Sequence, residues 1–217
     1  RAEHLVYSAH LDHIGLSPGR ADSINNGADD NASGVAGLLE IAEAFARGGP
    51  RPRRSLLFFV PSGEEKGLWG SGYFVERPTV PLDRLVADIN QDLVGRNWPD
   101  SVIAVGPELG SLGGTLARVV AAHPELRMHP LADRWPEERI FYRSDHYSFA
   151  RKGVPVLFFT SGTHPDYHQP TDVADRIDTE KQARLTRLLY YLGAEVANDP
   201  ERPRWWPGRH RQLFPDD

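Results

Sequence analysis

The chain contains no cysteine, no long apolar run and no excess of basic residues. The absence of cysteine excludes a thiolate metal site and a fold held together by disulfides. No segment approaches the roughly 18 consecutive apolar residues of a membrane span, so we expect none. The formal net charge of −5 provides no basic surface for nucleic acid, and we expect no such partner. A zinc site in this chain would have to use histidine and carboxylate ligands.

The length and composition fit one domain. With 217 residues, of which 40% are hydrophobic, the chain can bury a sizeable core. We predict a single domain over residues 1–217, with a C-terminal tail over about 198–217. Because the chain opens almost directly into a strand-like run without an initiating methionine, we expect a processed or trimmed product that lacks an upstream segment. The sequence does not predict the oligomeric state.

Short apolar runs alternate with helix-like stretches along the chain. The runs, rich in β-branched and aromatic residues, predict buried strands at 5–9, 55–60, 85–89, 102–105 and 154–159. The stretches predict helices at 33–47, 112–122, 144–152 and 179–197, the last with Asp178 as its N-cap. This alternation indicates a three-layer α/β/α sandwich with a central, mostly parallel mixed sheet. Polar motifs follow several strand ends, which is the edge where open α/β sheets bind ligands.

The first motif ends the first strand. Residues two apart in an extended segment point the same way, so the Asp12 carboxylate can accept a proton from one ring nitrogen of His10 while the other nitrogen binds a metal. By the same alternation, we expect His13 to point away from His10. Taken alone, this HxD pattern also fits a surface histidine in a loop.

Two acidic motifs follow. Asp29 and Asp30 precede a helix, which is typical of an N-cap with its solvated loop. The alternative is a carboxylate that bridges two cations, and the small residues around Asp30 leave room for this. Glu64 and Glu65 come after the most apolar strand, where two adjacent carboxylates repel each other unless a cation compensates them. The alternative there is a solvated turn with Lys66 as counter-ion.

Two further motifs complete the series. Asp92 follows another strand, and the segment from Gly162 to Asp172 contains two histidines, a tyrosine beside the second, and an aspartate that can orient an imidazole. Two histidines and three carboxylates are the ligand types that hold a pair of zinc ions, with one carboxylate left as a base. The six residues that provide these parts of a two-metal hydrolase are His10, Asp30, Glu64, Glu65, Asp92 and His168.

With the motifs HxD, DxxSG, EExGxxGS, NxD and YHxxxD in this order, the chain resembles a metallopeptidase family from about His4 to Asp178. That family contains the bacterial di-zinc aminopeptidases, plasma glutamate carboxypeptidase and glutamate carboxypeptidase II. The resemblance implies the zinc-dependent exopeptidase fold and two Zn²⁺ per chain. One ion would be held by His10, Asp30 and Asp92, and the other by Asp30, Glu65 and His168.

The resemblance also implies roles for residues that are not ligands. Glu64 falls at the general acid/base and Asp12 at the partner of His10. Tyr167 falls at a position that steadies the oxyanion in some members, and the peptide after Asp30 is commonly cis. Arg143 and His146 match the edge of the pocket, although both also fit surface positions.

The expected function is that of an exopeptidase acting on peptide substrates, with an aminopeptidase favoured. An acidic rim would hold the free α-amino group of the substrate, and Trp69, Phe141 and Tyr147 favour apolar N-terminal residues. The alternatives are a carboxypeptidase, for which Arg143 would bind the substrate carboxylate, a one-zinc glutaminyl cyclase, and a non-catalytic binding module. The resemblance implies a secreted or periplasmic location.

Overall fold

The structure is a computed structural model that describes residues 2–49 and 51–215. Over these residues the chain forms six strands and six α-helices. The strands are β1 (His4–Ser8), β2 (Ser55–Phe59), β3 (Leu85–Gln91), β4 (Ser101–Val105), β5 (His129–Leu131) and β6 (Val156–Thr160). The helices are α1 (Gly34–Arg47), α2 (Trp69–Glu76), α3 (Leu112–Ala122), α4 (His146–Arg151), α5 (Thr179–Asn198) and α6 (Arg209–Leu213).

The strands form one mixed sheet in the order β2-β1-β3-β6-β4-β5. Neighbouring strands are parallel except for β4 and β6, which are antiparallel. The sequence prediction of a mostly parallel mixed sheet is confirmed. In β1, Leu5, Val6 and Tyr7 are fully buried, because a parallel sheet covered on both faces requires apolar side chains at successive positions.

Helices cover both faces of the sheet, which gives the predicted three layers. The side chains of Leu5 and Tyr7 belong to the hydrophobic core under α1, α3 and α5. The intervening Val6 belongs to the opposite core, with residues of α2 and α4, as the period of two in a strand requires. Asp178 caps α5 by accepting a hydrogen bond from the Lys181 amide at 2.9 Å.

The segment that the sequence predicts as a C-terminal tail packs against the second core. The Trp205 indole donates a hydrogen bond to the Gly153 carbonyl at 2.9 Å, and the side chain of Phe214 is buried. Within residues 2–49 and 51–215, we find no helix with the length and apolarity that a membrane crossing requires.

The sheet brings the polar motifs to one edge. His10, Glu64 and Asp92 follow the carboxyl ends of β1, β2 and β3, and the loop with His168 follows β6. Asp30 comes from an irregular turn, Ala28–Ser33, that precedes α1. The candidate site therefore forms where parallel strands end.

Candidate metal centre

The irregular turn before α1 is fixed through its backbone. The carboxylate of Asp172 accepts hydrogen bonds from the Asp29 amide, at 3.0 Å to each oxygen, and from the Asp30 amide at 3.2 Å. Both oxygens of Asp172 therefore face backbone amides of the turn. The Asp30–Asn31 peptide is cis, as the resemblance implies.

The two adjacent aspartates of this turn face different surroundings. Asp30 points into the pocket, with Oδ1 3.3 Å from His10 Nε2 and Oδ2 3.1 Å from His168 Nε2. Asp29 is buried behind it, where its carboxylate accepts from the Gly95 amide at 2.6 Å and lies 3.1 Å from His164 Nε2. Of the pair, Asp30 lies between the two pocket histidines, with one oxygen toward each.

The first group of donor atoms comes from His10, Glu64 and Asp92. His10 Nε2 lies 3.4 Å from Asp92 Oδ1 and 3.9 Å from Glu64 Oε2. The other oxygen of Asp92 accepts a hydrogen bond from the Ser144 hydroxyl at 2.8 Å. One Asp92 oxygen is thus occupied, and the other faces His10.

Asp12 has a different contact from the one that the alternation of side chains predicts. His10 Nδ1 lies 3.0 Å from the Asp12 main-chain oxygen, whereas the nearer carboxylate oxygen is 3.7 Å away. The carboxylate instead accepts from the amides of Glu64 at 3.1 Å and Glu65 at 3.3 Å. The predicted carboxylate contact fails because β1 ends at Ser8, so the period of two does not extend to residues 10–12. Asp12 therefore holds the turn that carries the glutamate pair.

The second group of donor atoms comes from His13, Asp30, Glu65 and His168. Glu65 Oε2 lies 3.1 Å from His168 Nε2, and Glu65 Oε1 lies 3.0 Å from His13 Nδ1. The sequence prediction that His13 points away from the site is wrong, for the same reason as at Asp12. The only sequence signal for its presence here is its nearness to His10, just after a strand.

The donor atoms satisfy the geometry of a cation site better than that of a hydrogen-bonded network. Several of them are buried and make no directed hydrogen bond with the described residues; they include His10 Nε2, Glu65 Oε1, Asp92 Oδ1 and His168 Nε2. Ligand atoms about 2.0–2.2 Å from one tetrahedral zinc ion lie about 3.3–3.6 Å from each other. The separations of 3.1–3.4 Å from the two histidines, His10 and His168, to their carboxylate neighbours are close to these values. Imidazole and carboxylate groups are also ligands that zinc accepts.

The electrostatics of the pocket favour positive charge. Burial opposes protonation of His10, but Asp92, Asp30 and Glu64 outweigh it and raise its pKa to about 12. At His168, too, burial opposes protonation, but the carboxylates of Asp30 and Glu65 outweigh it and raise the pKa to about 9. Burial, reinforced by Asp92, raises the pKa of Glu64 to about 9. Bound metal cations would supply the positive charge that these carboxylates otherwise draw from protons.

The pocket above the donor atoms has an apolar wall that the sequence does not predict. Trp135, Ile140 and Phe158 line it. The Trp135 ring lies against Gly162, where a Cβ atom would be only 2.5 Å from the ring. Trp69 is 67% exposed and Phe141 is buried in the core.

Tyr147 packs against the same core, with its ring tilted by 36° to that of Phe214 and the ring centroids 5.8 Å apart. Trp69, Phe141 and Tyr147 are not among the residues that line this pocket, so their contact with a substrate stays a prediction.

Three further predicted residues have separate environments. Tyr167 lines the pocket and stacks on His168 with ring centroids 3.9 Å apart. Arg143 also lines the pocket, and its Nη1 atom lies 3.2 Å from Glu138 Oε2. His146 is fully buried under Phe158, so its prediction at the pocket edge is wrong. Burial lowers the pKa of His146 to about 3, and the ring is part of the core.

The α/β/α sandwich places two groups of side chains that could hold a metal ion at one sheet edge. A family model described as Peptidase family M28 matches residues 1–193. This chain belongs to peptidase family M28. The family resemblance predicted from the five motifs is confirmed.

Individual relatives are more distant. The chain is 28% identical over 202 residues to a probable leucine aminopeptidase of Arthroderma otae, covering 89% of this chain and 54% of that protein. It is 29% identical over 228 residues to the BOS complex subunit NCLN of Canis lupus familiaris, covering 92% of this chain and 39% of that protein. The solved aminopeptidase from Aneurinibacillus sp. strain AM-1 has a TM-score of 0.72 and 25% identity, with 93% of this chain and 45% of that chain covered. The chain thus spans about half, or less, of the length of these relatives.

Proposed function

We propose that this chain is the catalytic part of a zinc-dependent exopeptidase, an aminopeptidase that removes N-terminal residues from peptides with two zinc ions. The observation that carries the proposal is the position of Asp30, which has one oxygen toward His10 and the other toward His168. A carboxylate shared in this way is what a pair of metal ions requires. Membership of a peptidase family and the name of the Arthroderma relative support the reaction class.

The family resemblance and the distances around Asp30 support a ligand set for each ion. His10, Asp92 and Oδ1 of Asp30 would hold the first ion, and Glu65, His168 and Oδ2 of Asp30 the second. Three carboxylates with neutral imidazoles leave one positive charge of the two Zn²⁺ to be balanced. When bound, the metals would supply a water of lowered pKa and a polarised substrate carbonyl.

Glu64 has the position and environment of the proton carrier. Its Oε2 atom lies 3.9 Å from His10 Nε2 at the pocket wall, and the Asp12 carboxylate fixes its backbone. As a carboxylate it would accept the proton of the attacking water, and as the acid it would then protonate the leaving amine.

The charge of the pocket determines which end of a peptide it accepts. Asp30, Glu64, Glu65 and Asp92 line it, and Glu64, the one of them that is not a proposed ligand, can accept a hydrogen bond from the ammonium group of a free N-terminus. Arg143 is paired with Glu138, so its charge is partly neutralised. The apolar wall then receives the first side chain of the substrate, and Tyr167 steadies the developing oxyanion.

The test uses two peptides that differ only in N-acetylation and begin with leucine. We expect zinc-loaded protein to remove the leucine of the free peptide and to leave the acetylated peptide intact. Elemental analysis after reconstitution is expected to give two zinc ions per chain. Fewer than about 1.5 ions per chain would reject the two-metal site, and a value of one would favour a glutaminyl cyclase.

The second candidate is a carboxypeptidase, which is favoured by the presence of Arg143 in the pocket wall. Its guanidinium would bind the substrate carboxylate if Glu138 released it. Cleavage of the acetylated peptide at its C-terminal bond, abolished by Arg143→Ala, would establish this reading. A protein that binds zinc and cleaves neither peptide would be a non-catalytic binding module.

A further inference from the structure

His13 is the one member of the second donor group that no family motif includes. Its Nδ1 atom lies 3.0 Å from Glu65 Oε1 and 3.9 Å from Asp30 Oδ2. The side chain is only 10% exposed, and its ring meets that of His168 edge-on with centroids 5.5 Å apart. The imidazole is therefore held inside the group, beside the proposed ligands.

The backbone at Gly27 leaves room for the imidazole ring of His13. Gly27 has a φ of 67°, and a Cβ atom at this position would lie 2.7 Å from Cγ of His13. Any other residue at position 27 would displace the imidazole or distort the turn that carries Asp30. The small residue before the acidic turn thus keeps His13 against Glu65.

The contact with Glu65 has the distance of a hydrogen bond without its direction. Neither His13 Nδ1 nor Glu65 Oε1 makes a directed hydrogen bond with the described residues, and both atoms are buried. One donor atom from each of the four residues of the group lies within 4.8 Å of the others. Ligand atoms of one tetrahedral zinc ion lie about 3.3–3.6 Å apart. The separations of 3.0 Å and 3.9 Å at His13 fall on either side of that range.

We propose that His13 Nδ1 is a fourth protein ligand of the second metal ion, together with Asp30, Glu65 and His168. The inference rests on the proposed function, which supplies the two metal ions. It adds one ligand that distinguishes the second metal site from the first. A neutral imidazole adds a donor without changing the charge. The second site then has four protein donors against three at the first, so it binds zinc more tightly and fills first.

The test is stepwise zinc binding, measured by competition with a chromophoric chelator, for the wild type and His13→Gln. We expect the wild type to show one tight and one weaker site. His13→Gln is expected to weaken the tight site by more than about 100-fold, beyond the 10–100-fold that loss of an outer partner costs. The weaker site should keep its affinity. His129→Gln, at an exposed position of β5, is the matched control.

A second readout separates a ligand from a neighbour. Cobalt bound at the tight site of the wild type should give a visible spectrum that changes in position and intensity in His13→Gln, because the ligand set changes. A loss within 10–100-fold with an unchanged cobalt spectrum would show that His13 acts through Glu65, and would overturn the inference. Equal affinities in both proteins, each with two ions, would overturn it and leave the proposed function standing. A wild type that binds one ion would overturn both.

Discussion

Two polar clusters lie on either side of the acidic turn, and they differ in how their atoms are satisfied. The pocket cluster contains the donor groups around Asp30, where buried nitrogens and oxygens converge without directed hydrogen bonds. The cluster behind the turn is here called the support network and consists of Asp29, His164, Asp166, Asp172 and Lys181. In the support network, each carboxylate accepts hydrogen bonds from amides or is paired with basic groups.

The buried lysine of the support network shows the contrast. The Lys181 side chain is fully buried, and its ammonium donates to the Arg96 carbonyl and the Ser161 hydroxyl. Burial lowers the pKa of Lys181 to about 8. Protein atoms thus satisfy the support network, whereas several buried donor atoms of the pocket cluster make no directed hydrogen bond with the described residues. Similar residue types serve as scaffold on one side of the turn and as the proposed ligands on the other.

The largest effect expected within the pocket is loss of activity without loss of metal. Glu64→Gln removes a proton carrier, so we expect peptide hydrolysis to fall by about 10²–10⁴-fold while two zinc ions remain bound. Glu65→Gln should instead weaken the second metal site. Hydrolysis rates and elemental analysis of both variants provide the measurement. If the two substitutions exchanged phenotypes, the assignment of base and ligand would be reversed.

Metal removal is expected to lower the free energy of unfolding through the pocket cluster alone. A ligand that binds only the folded state stabilises it by about 2.7 kcal/mol per site when its free concentration is 100 times the dissociation constant. Urea unfolding with buffered zinc and with chelator measures this increment. Glu65→Gln should reduce the increment, whereas the exposed Asp175→Asn should preserve it. An equal stability with and without zinc would mean that the pocket is satisfied without cations.

Asp172 links the two clusters, so its substitution tests whether the support network orients the ligands. Asp172→Asn places an amide donor against the backbone amides of Asp29 and Asp30. The turn should shift, and we expect zinc affinity to fall by about 10–100-fold, as for the loss of other outer partners of metal ligands. Chelator competition measures this change, with Asp175→Asn as the matched control. Equal affinities in the two variants would show that the support network does not control the position of Asp30.

Much of the fold follows from the alternation of apolar runs and amphipathic stretches. The elements that the sequence does not predict have weak local signals. The strand β5 has three residues, including Pro130, at the sheet edge. The helix α2 contains Gly70 and Gly72, which disfavour helix in isolation. Tertiary packing therefore determines that β5 and α2 form.

The candidate site is predictable where chemistry follows a strand end, as at His10, Glu65 and Asp92. The site is not predictable where the chain leaves regular strand structure, because the period of two then no longer fixes the direction of each side chain. His13 is the clearest case. The pocket wall from Trp135 and Ile140 comes from a loop far along the chain, and no local pattern connects it with the metal ligands.

The smallest expected effect concerns the rim of the support network, at Asp166. Its carboxylate accepts from the Thr171 hydroxyl at 2.6 Å, from Arg96 at 2.8 Å and from Arg176 at 2.9 Å. These partners, led by Thr171, lower its pKa to about 2. Because the folded-state pKa lies below the ordinary value, the carboxylate stabilises the fold above that value, and the stabilisation is lost as the pH falls toward 2.

Asp166→Asn should therefore lower the free energy of unfolding at pH 7 by about 1 kcal/mol, a value kept small because solvent screens the arginine contacts. Urea unfolding of chelator-treated wild type and variant at pH 7, 5, 4 and 3 measures the difference, which should be constant down to about pH 5 and shrink below the ordinary aspartate pKa. Asp175→Asn should show no such trend. A difference that stayed constant to pH 3 would mean that Asp166 acts through shape and not through charge.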